Sequence, residues 1–94
     1  MQIRWVRLAL HDLEEVAGFI SQDNPEAARE LVRRIWKAAQ ILTNHPHSGR
    51  AGRVPGTREL IIGDTQYILP YRVVEDEVHI LRVLHGARKW PKRL

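Results

Sequence analysis

The sequence contains no cysteine, which excludes a disulfide framework, a thiolate nucleophile and a thiolate metal site. No apolar run approaches the roughly 20 residues of a membrane-spanning helix, and Arg4 and Arg7 interrupt any signal-peptide pattern at the N-terminus. No two of the five histidines stand at the helical i, i+4 spacing of metal ligands. We therefore expect a soluble cytoplasmic protein, with no membrane association, no metal ion and no cofactor.

Acidic residues are missing from one end of the chain. None follows Glu77, although the net charge is only +4. The cations beyond that point are Arg82, Arg88, Lys89, Lys92 and Arg93. A basic end of this kind indicates an anionic partner, such as nucleic acid, a nucleoprotein machine or an acidic protein. The alternative is a solvated tail that keeps the domain soluble.

The length of 94 residues predicts one domain spanning residues 1–94, and a hydrophobic content of 44% is enough for one core. A domain of this size buries only about 60–65% of the surface that its unfolded chain exposes. We therefore expect a bound partner to add considerably to its stability.

Two helices are predicted in the first half of the chain, after a short strand over residues 2–6. Apolar residues recur at i, i+3, i+4 and i+7 from Leu13 to Ile20, which is typical of an amphipathic helix. Asn24 and Pro25 then supply an N-cap and a proline at the first helical position, which predict a second helix. Because the connection is so short, the helices should form an antiparallel hairpin.

Three strands are predicted over residues 58–62, 66–74 and 77–84, after a loop over residues 43–57 that is rich in proline and glycine. Short polar connections favour an antiparallel meander. Pro70 lacks a ladder donor, so we expect a bulge there or a gap facing its nitrogen. The order β-α-α-β-β-β predicts an α+β fold, with the helical hairpin packed on one face of a mainly antiparallel four-stranded sheet.

Four segments carry motifs in a fixed order and spacing. They are Leu42-x-x-x-Pro46-x-x-Gly49-Arg50, the run from Arg53 to Leu60, Tyr67-Ile68-Leu69-Pro70-Tyr71-Arg72-Val73, and the run from Ile80 to Arg88. Together they resemble the RelE/ParE superfamily of toxins from type II toxin–antitoxin systems. The resemblance implies a cytoplasmic toxin of an addiction module that arrests growth and is neutralised by the C-terminal segment of a cognate antitoxin.

The same resemblance implies one of two activities. RelE-like members are ribosome-dependent mRNA endonucleases that surround the scissile phosphate with cations, whereas ParE-like members poison DNA gyrase. Glu59, Ile61 and Ile68 stand where the nuclease has two lysines and an arginine, Leu94 stands near its C-terminal tyrosine, and only Arg88 is kept. These departures favour a ParE-like inhibitor of gyrase that blocks replication by binding, without chemistry of its own. The alternatives are an mRNA interferase that uses His85 and Arg88 as catalytic residues, and a domain that mainly partners its antitoxin.

The predicted target-binding surface combines cations with an aromatic residue. Its members are Arg72, Arg82, His85, Arg88, Lys89 and Trp90. Arg72 and Arg82 would project from neighbouring strands onto one face of the sheet, and Trp90 would anchor the partner. The alternatives are a solvated sheet face for the two arginines, a hydrogen-bonded structural role for His85, and a frayed terminus for residues 88–93. Trp5 and Trp36 are predicted to lie in the core or at its edge.

Overall fold

The structure, a computed structural model, describes residues 1–94. Its elements are β1 (Gln2–Trp5), α1 (Arg7–Ser21), α2 (Pro25–Gln40), a 3-10 helix (Ile41–Thr43), β2 (Arg50–Ala51), β3 (Arg58–Ile61), β4 (Tyr67–Val74), β5 (Glu77–Ile80) and β6 (Leu84–His85). The predicted order of one strand, two helices and three further main strands is confirmed. Neither helix is long and apolar enough to cross a membrane.

The helical hairpin forms as the sequence predicts. Asn24 caps α2, since its Oδ1 accepts a hydrogen bond from the Ala27 backbone N–H at 3.1 Å, and Pro25 opens the first turn. Ala9 and Leu13 are the buried positions of α1, and Ile35 is fully buried on α2. The hairpin therefore covers one face of the sheet and leaves the other face without a helix.

The sheet has the order β1-β5-β4-β3-β2, and β6 also pairs with β4. β1 runs parallel to β5, whereas every other pair is antiparallel. The sheet thus has six strands instead of the four predicted. One additional strand, β2, lies in the predicted loop, where Arg50 and Ala51 pair with β3.

The other additional strand arises because the predicted strand over residues 77–84 is split. Ile80 pairs with Tyr71 and Leu84 with Ile68, so three residues of the last strand face two residues of β4. Leu81 N–H donates to the Pro70 carbonyl at 2.9 Å, but Pro70 has no N–H with which to return a bond. The extra residue forms a bulge beside Pro70, which confirms the prediction and breaks the strand.

Tyr71 is the largest fully buried side chain, and it joins the sheet to the predicted loop. Its hydroxyl donates to the Pro46 carbonyl at 2.9 Å and accepts from the Gly49 N–H at 2.8 Å. Burial raises the pKa of Tyr71, partly offset by the Gly49 N–H and by the charge of Arg58. A side chain at Gly49 would lie 2.6 Å from the Tyr71 ring, so only glycine permits this close approach.

The two tryptophans of the first half meet at the edge of the core. The ring centroids of Trp5 and Trp36 lie 4.6 Å apart, and Trp36 keeps 39% of its surface exposed. The expectation that they lie in the core or at its edge is confirmed for Trp5, which packs against the core, whereas Trp36 is exposed and packs on Trp5.

Candidate target-binding site

The chain continues past β6 as an irregular stretch, which we call the C-terminal segment (residues 86–94). It begins on the sheet, where the Gly86 N–H donates to the Gln66 carbonyl at 2.7 Å. It then turns, since the Arg88 N–H donates to the His85 carbonyl at 3.2 Å and the Trp90 indole Nε1 to the same oxygen at 3.1 Å. The segment is therefore folded back on itself next to β6.

Trp90 is half-buried because an arginine from the loop between β2 and β3 lies on its ring. The Arg53 guanidinium carbon is 3.7 Å from the ring centroid, and Arg53 Nη2 donates to the Gly86 carbonyl at 3.4 Å. A guanidinium over an indole face is a favourable cation–π arrangement. The alternative of a frayed terminus does not describe Trp90.

A buried carboxylate lies beneath that arginine. Glu59 on β3 is only 2% exposed, and its Oε1 accepts from Arg50 Nε at 3.1 Å and from Nη2 at 2.9 Å. Its Oε2 accepts the Arg53 backbone N–H at 2.7 Å. These bonds compensate the cost of removing a carboxylate from water.

Sequence reasoning missed Arg50 and Arg53. The available signal was two arginines, Arg50 and Arg53, shortly before Glu59, the one acid of its strand.

The remaining cations of the C-terminal segment are exposed and unpaired. They are Arg88, Lys89, Lys92 and Arg93, and none of them takes part in an ion pair. Because no carboxylate neutralises them, their charge is available to an anionic partner. Arg88, Lys89 and Trp90 are consecutive, and with His85 they line one pocket beside β6.

Arg82 does not join them, because Asp12 of α1 holds it. Arg82 Nε lies 2.6 Å from Asp12 Oδ2 and Nη2 lies 3.1 Å from Oδ1, while the Val83 N–H also donates to Oδ2 at 3.0 Å. Hydrogen bonding to Asp12 raises the pKa of Arg82. The side chain is only 20% exposed, so Arg82 joins the sheet to the hairpin.

Arg72 lies on the opposite side of the sheet. It stands next to Tyr71, which points to the helices, so the Arg72 side chain points to the other face. Arg72 pairs across the strands with His79, and its Nε donates to the Gly56 carbonyl at 3.4 Å. The expectation that Arg72 and Arg82 share one face is therefore wrong. Arg82 stands two positions after Ile80, which is buried toward the helices, so the ordinary alternation of a strand places it on the face opposite to Arg72.

The face that Arg72 occupies also carries a small charged group. Glu77 Oε2 accepts from Arg4 at 3.2 Å and its Oε1 lies 2.9 Å from His79 Nε2. The hydrogen bond from His79, followed by that from Arg4, lowers the pKa of Glu77. Arg72 therefore lies on the same face as Arg4, His79 and Glu77, whose negative charge is compensated by Arg4, and apart from the C-terminal segment.

Both ring nitrogens of His85 are engaged. Nδ1 accepts the Ala87 N–H at 3.2 Å, which leaves Nε2 as the protonated nitrogen that donates to Gln66 Oε1. The ring also packs edge-on against Tyr67, with 5.7 Å between centroids. This arrangement fits a hydrogen-bonded structural histidine better than a general base, which needs a free nitrogen.

A model of the family described as the ParE toxin of type II toxin-antitoxin system, parDE, matches residues 3–90. The chain belongs to the ParE toxin family. It is accordingly a toxin of the type II toxin–antitoxin class within the RelE/ParE superfamily, and its partner is implied to be a cognate antitoxin.

Individual proteins support the same family. Y4kP of Sinorhizobium fredii is 45% identical over 93 residues, which covers 99% of this chain and 96% of the relative. Toxin RelE2 of Caulobacter vibrioides is 36% identical over 87 residues, covering 93% and 97% of the two chains. A solved structure titled "Chromosomal ParDE TA system from P. aeruginosa" superimposes with a TM-score of 0.82 at 30% identity, covering 90% of this chain and 95% of that one.

In this member of the ParE family, the three positions that a RelE-like nuclease would fill with cations carry none. Glu59 is buried in its arginine pairs, Ile68 is 7% exposed beneath Gly86, and Ile61 is a half-exposed aliphatic side chain. No group of three histidine, aspartate or glutamate side chains is arranged to hold a metal ion. The cations cluster instead on the C-terminal segment.

Proposed function

We propose that this ParE-family toxin inhibits DNA gyrase by binding the enzyme or its DNA complex, and so blocks replication and arrests growth. The observation that carries the proposal is the C-terminal segment, where unpaired exposed cations surround an indole held in place by Arg53. We infer that Arg88, Lys89 and Trp90 form the centre of the contact surface. Arg72 and His85 are secondary members, because the first lies on the other face and the second is internally bonded.

The physics of such a surface favours binding. Cations that contact phosphates release counterions, so their contribution falls as salt rises. A tryptophan adds a large apolar anchor of the kind found at binding hot spots. Part of the indole is already buried, so little conformational entropy remains to be lost when a partner binds.

The residues at positions 59, 61, 68 and 85 also argue against cleavage of RNA. Metal-free cleavage of RNA needs cations at the developing charge and a group that moves protons. Glu59 would repel a phosphate, Ile61 and Ile68 offer no charge, and both nitrogens of His85 are already bonded. We therefore propose that the toxin has no catalytic residue of its own.

The hairpin offers a surface for the antitoxin. An open groove between α1 and α2 is lined by Ala17, Gly18, Ser21, Pro25, Ala28 and Val32, with Arg29 and Arg33 also lining it. An apolar floor with basic walls fits an amphipathic acidic segment that folds as it binds. We propose that the C-terminal segment of the antitoxin takes this place.

Gyrase inhibition by the purified toxin tests the proposal. We expect the wild-type protein to block supercoiling and the Arg88→Ala/Lys89→Ala variant to lose this effect. A matched control is Arg7→Ala/Lys37→Ala, which removes two exposed, unpaired cations from the helices. Equal inhibition by both double variants would contradict the assignment of the surface, and no inhibition by the wild type would contradict the target.

A second function, mRNA cleavage on the ribosome, has one observation in its favour. His85 and Arg88 lie next to each other at the end of β6, and their backbones are joined by a hydrogen bond of 3.2 Å. Toxin RelE2 also carries a RelE name. Cuts in the A-site codon of a programmed ribosome that vanish on His85→Ala would establish this function in place of the first.

A further inference from the structure

We propose that Arg53 is a positioning residue that fixes the C-terminal segment in one geometry, and that buried Glu59 in turn holds Arg53. The importance of this for the target rests on the proposed function above. The ordering of the segment does not, and it can be measured without any target.

The foundation of this arrangement is Glu59. It lies on β3 between β2 and β4, is nearly inaccessible to solvent, and has both carboxylate oxygens bonded. The shortest of the hydrogen bonds to Glu59, at 2.7 Å, is donated by the backbone N–H of Arg53. Because the donor is a backbone group, this bond fixes the chain at residue 53 whatever side chain that residue carries. The direction in which the Arg53 side chain leaves the loop is therefore set by the sheet.

The Arg53 guanidinium then contacts the C-terminal segment at two points. One is the Gly86 carbonyl, where the segment leaves the sheet, and the other is the face of the Trp90 ring. These points bracket residues 87–89, which include Arg88 and Lys89. The Trp90 indole also donates a hydrogen bond to the His85 carbonyl, but this contact is local, because it spans only five positions. Arg53 thus links Trp90 to a distant part of the chain.

The chemistry of the contact requires arginine. A guanidinium is planar, so it can lie flat on the indole while an in-plane N–H reaches the Gly86 carbonyl. Its Nε is 3.8 Å from Glu59 Oε2, which is close enough for charge attraction without taking the guanidinium away from the ring. A lysine at this position would keep the charge but could not stack and donate in the same way.

The test uses the whole chain labelled with 5-fluorotryptophan. Its fluorine spectrum contains one signal for each of Trp5, Trp36 and Trp90, and Trp90→Phe assigns the last one. In Arg53→Ala we expect the Trp90 signal to move to the position of a solvent-exposed indole while the other two stay. Trypsin should cut after Arg88 and Lys89 about fivefold faster, which corresponds to the loss of one cation–π contact. Arg53→Lys should fall between the two.

The control variant is Arg34→Ala, which removes an arginine that contacts Gly63 and Asp64 and touches neither Glu59 nor Trp90. It should leave the Trp90 signal unchanged. Arg53→Ala should keep its melting temperature, since the backbone bond to Glu59 remains, and this separates local ordering from global unfolding.

An unchanged Trp90 signal and unchanged trypsin cleavage in Arg53→Ala would overturn the proposal, as would an equal change in Arg34→Ala. If Arg53→Ala releases Trp90 but the wild-type toxin does not inhibit gyrase, the proposed function fails and the role of Arg53 stands. If the wild type inhibits gyrase, Arg53→Ala should inhibit it about tenfold less, because an unordered segment loses entropy on binding.

Discussion

Arg82 illustrates how one residue can look functional in the sequence and prove structural in the fold. It belongs to the basic end of the chain, yet its charge is used inside the molecule, on an aspartate 70 positions away. Asp12 also accepts the Val83 N–H, so this carboxylate fixes the bulge as well as the side chain. The net positive charge that a partner meets is therefore smaller than the sequence suggests.

Removing Asp12 should destabilise the fold. Asp12→Ala leaves Arg82 and the Val83 N–H without a partner in a site where both charged side chains are mostly buried, so we expect a loss of about 1–3 kcal/mol. Urea denaturation of Asp12→Ala, Arg82→Ala and the double variant measures it. The double variant should lose less than the sum of the two single losses. Additive losses would show that the pair does not interact.

Glu77 predicts an acid-sensitive contribution to stability. Its folded-state pKa is lowered by His79 and Arg4, so its carboxylate stabilises the fold above its ordinary pKa of about 4.3, and this is lost as the pH falls through the lowered value. Glu77→Gln should therefore melt at a lower temperature than the wild type at pH 7. At a pH below the lowered pKa of Glu77 the two should melt together. Glu14→Gln, at an exposed position without an ion pair, is the control for the loss of one carboxylate charge.

At the scale of elements, β5 and the C-terminal segment should respond differently to truncation. Ile80 is fully buried, so Ile80→Ala should cost about 2–5 kcal/mol and abolish toxicity through unfolding. Trp90 lies outside the core cluster, so Trp90→Ala should keep the fold and reduce toxicity. Melting temperature and gyrase inhibition, measured for both variants, separate the two cases. If Trp90→Ala melts the domain as Ile80→Ala does, Trp90 is a core residue and the segment is not a binding surface.

The elements that the sequence predicts correctly are those with local signals. The Asn24-Pro25 cap and the apolar spacing place both helices, because these signals act within one or two turns. Pro70 indicates a disturbance in its ladder for an equally local reason, the missing N–H. Which neighbouring strand is interrupted, and where its pairing begins again, depends on contacts with residues more than ten positions away. The split between β5 and β6 could not be read from the pattern.

The same distinction applies to the site. The grouping of Arg88, Lys89 and Trp90 needs no long-range contact, because they follow one another in the sequence and no acid comes after them. The partners of Arg82 and Trp90 were not, since Asp12 and Arg53 come from other elements. The sequence indicates only that Glu59 is unsuited to a nuclease. Glu59 is buried because β2 and the loop before β3 surround it.

The molecule as a whole has a small core and an open groove on its hairpin, so a partner should stabilise it markedly. We expect a synthetic peptide with the sequence of the antitoxin's C-terminal segment to raise the melting temperature. At a concentration 100 times its Kd the gain would be about 2.7 kcal/mol. A Gly18→Glu change in the groove, at an exposed position with open space around it, should abolish the shift, whereas Lys37→Ala should preserve it. Absence of binding at micromolar peptide would contradict the proposed surface.

The parallel pairing of β1 with β5 has a consequence for how the toxin is made. Gln2 is aligned with Glu77 and Trp5 with Ile80, so the first strand to leave the ribosome must wait for one of the last. Until residue 80 emerges, the hairpin can form but its apolar face has no complete sheet to cover. Closing so long a loop is slow compared with helix formation. A cell that translates this message therefore has an interval in which the hairpin has been made but the sheet that covers its apolar face has not closed.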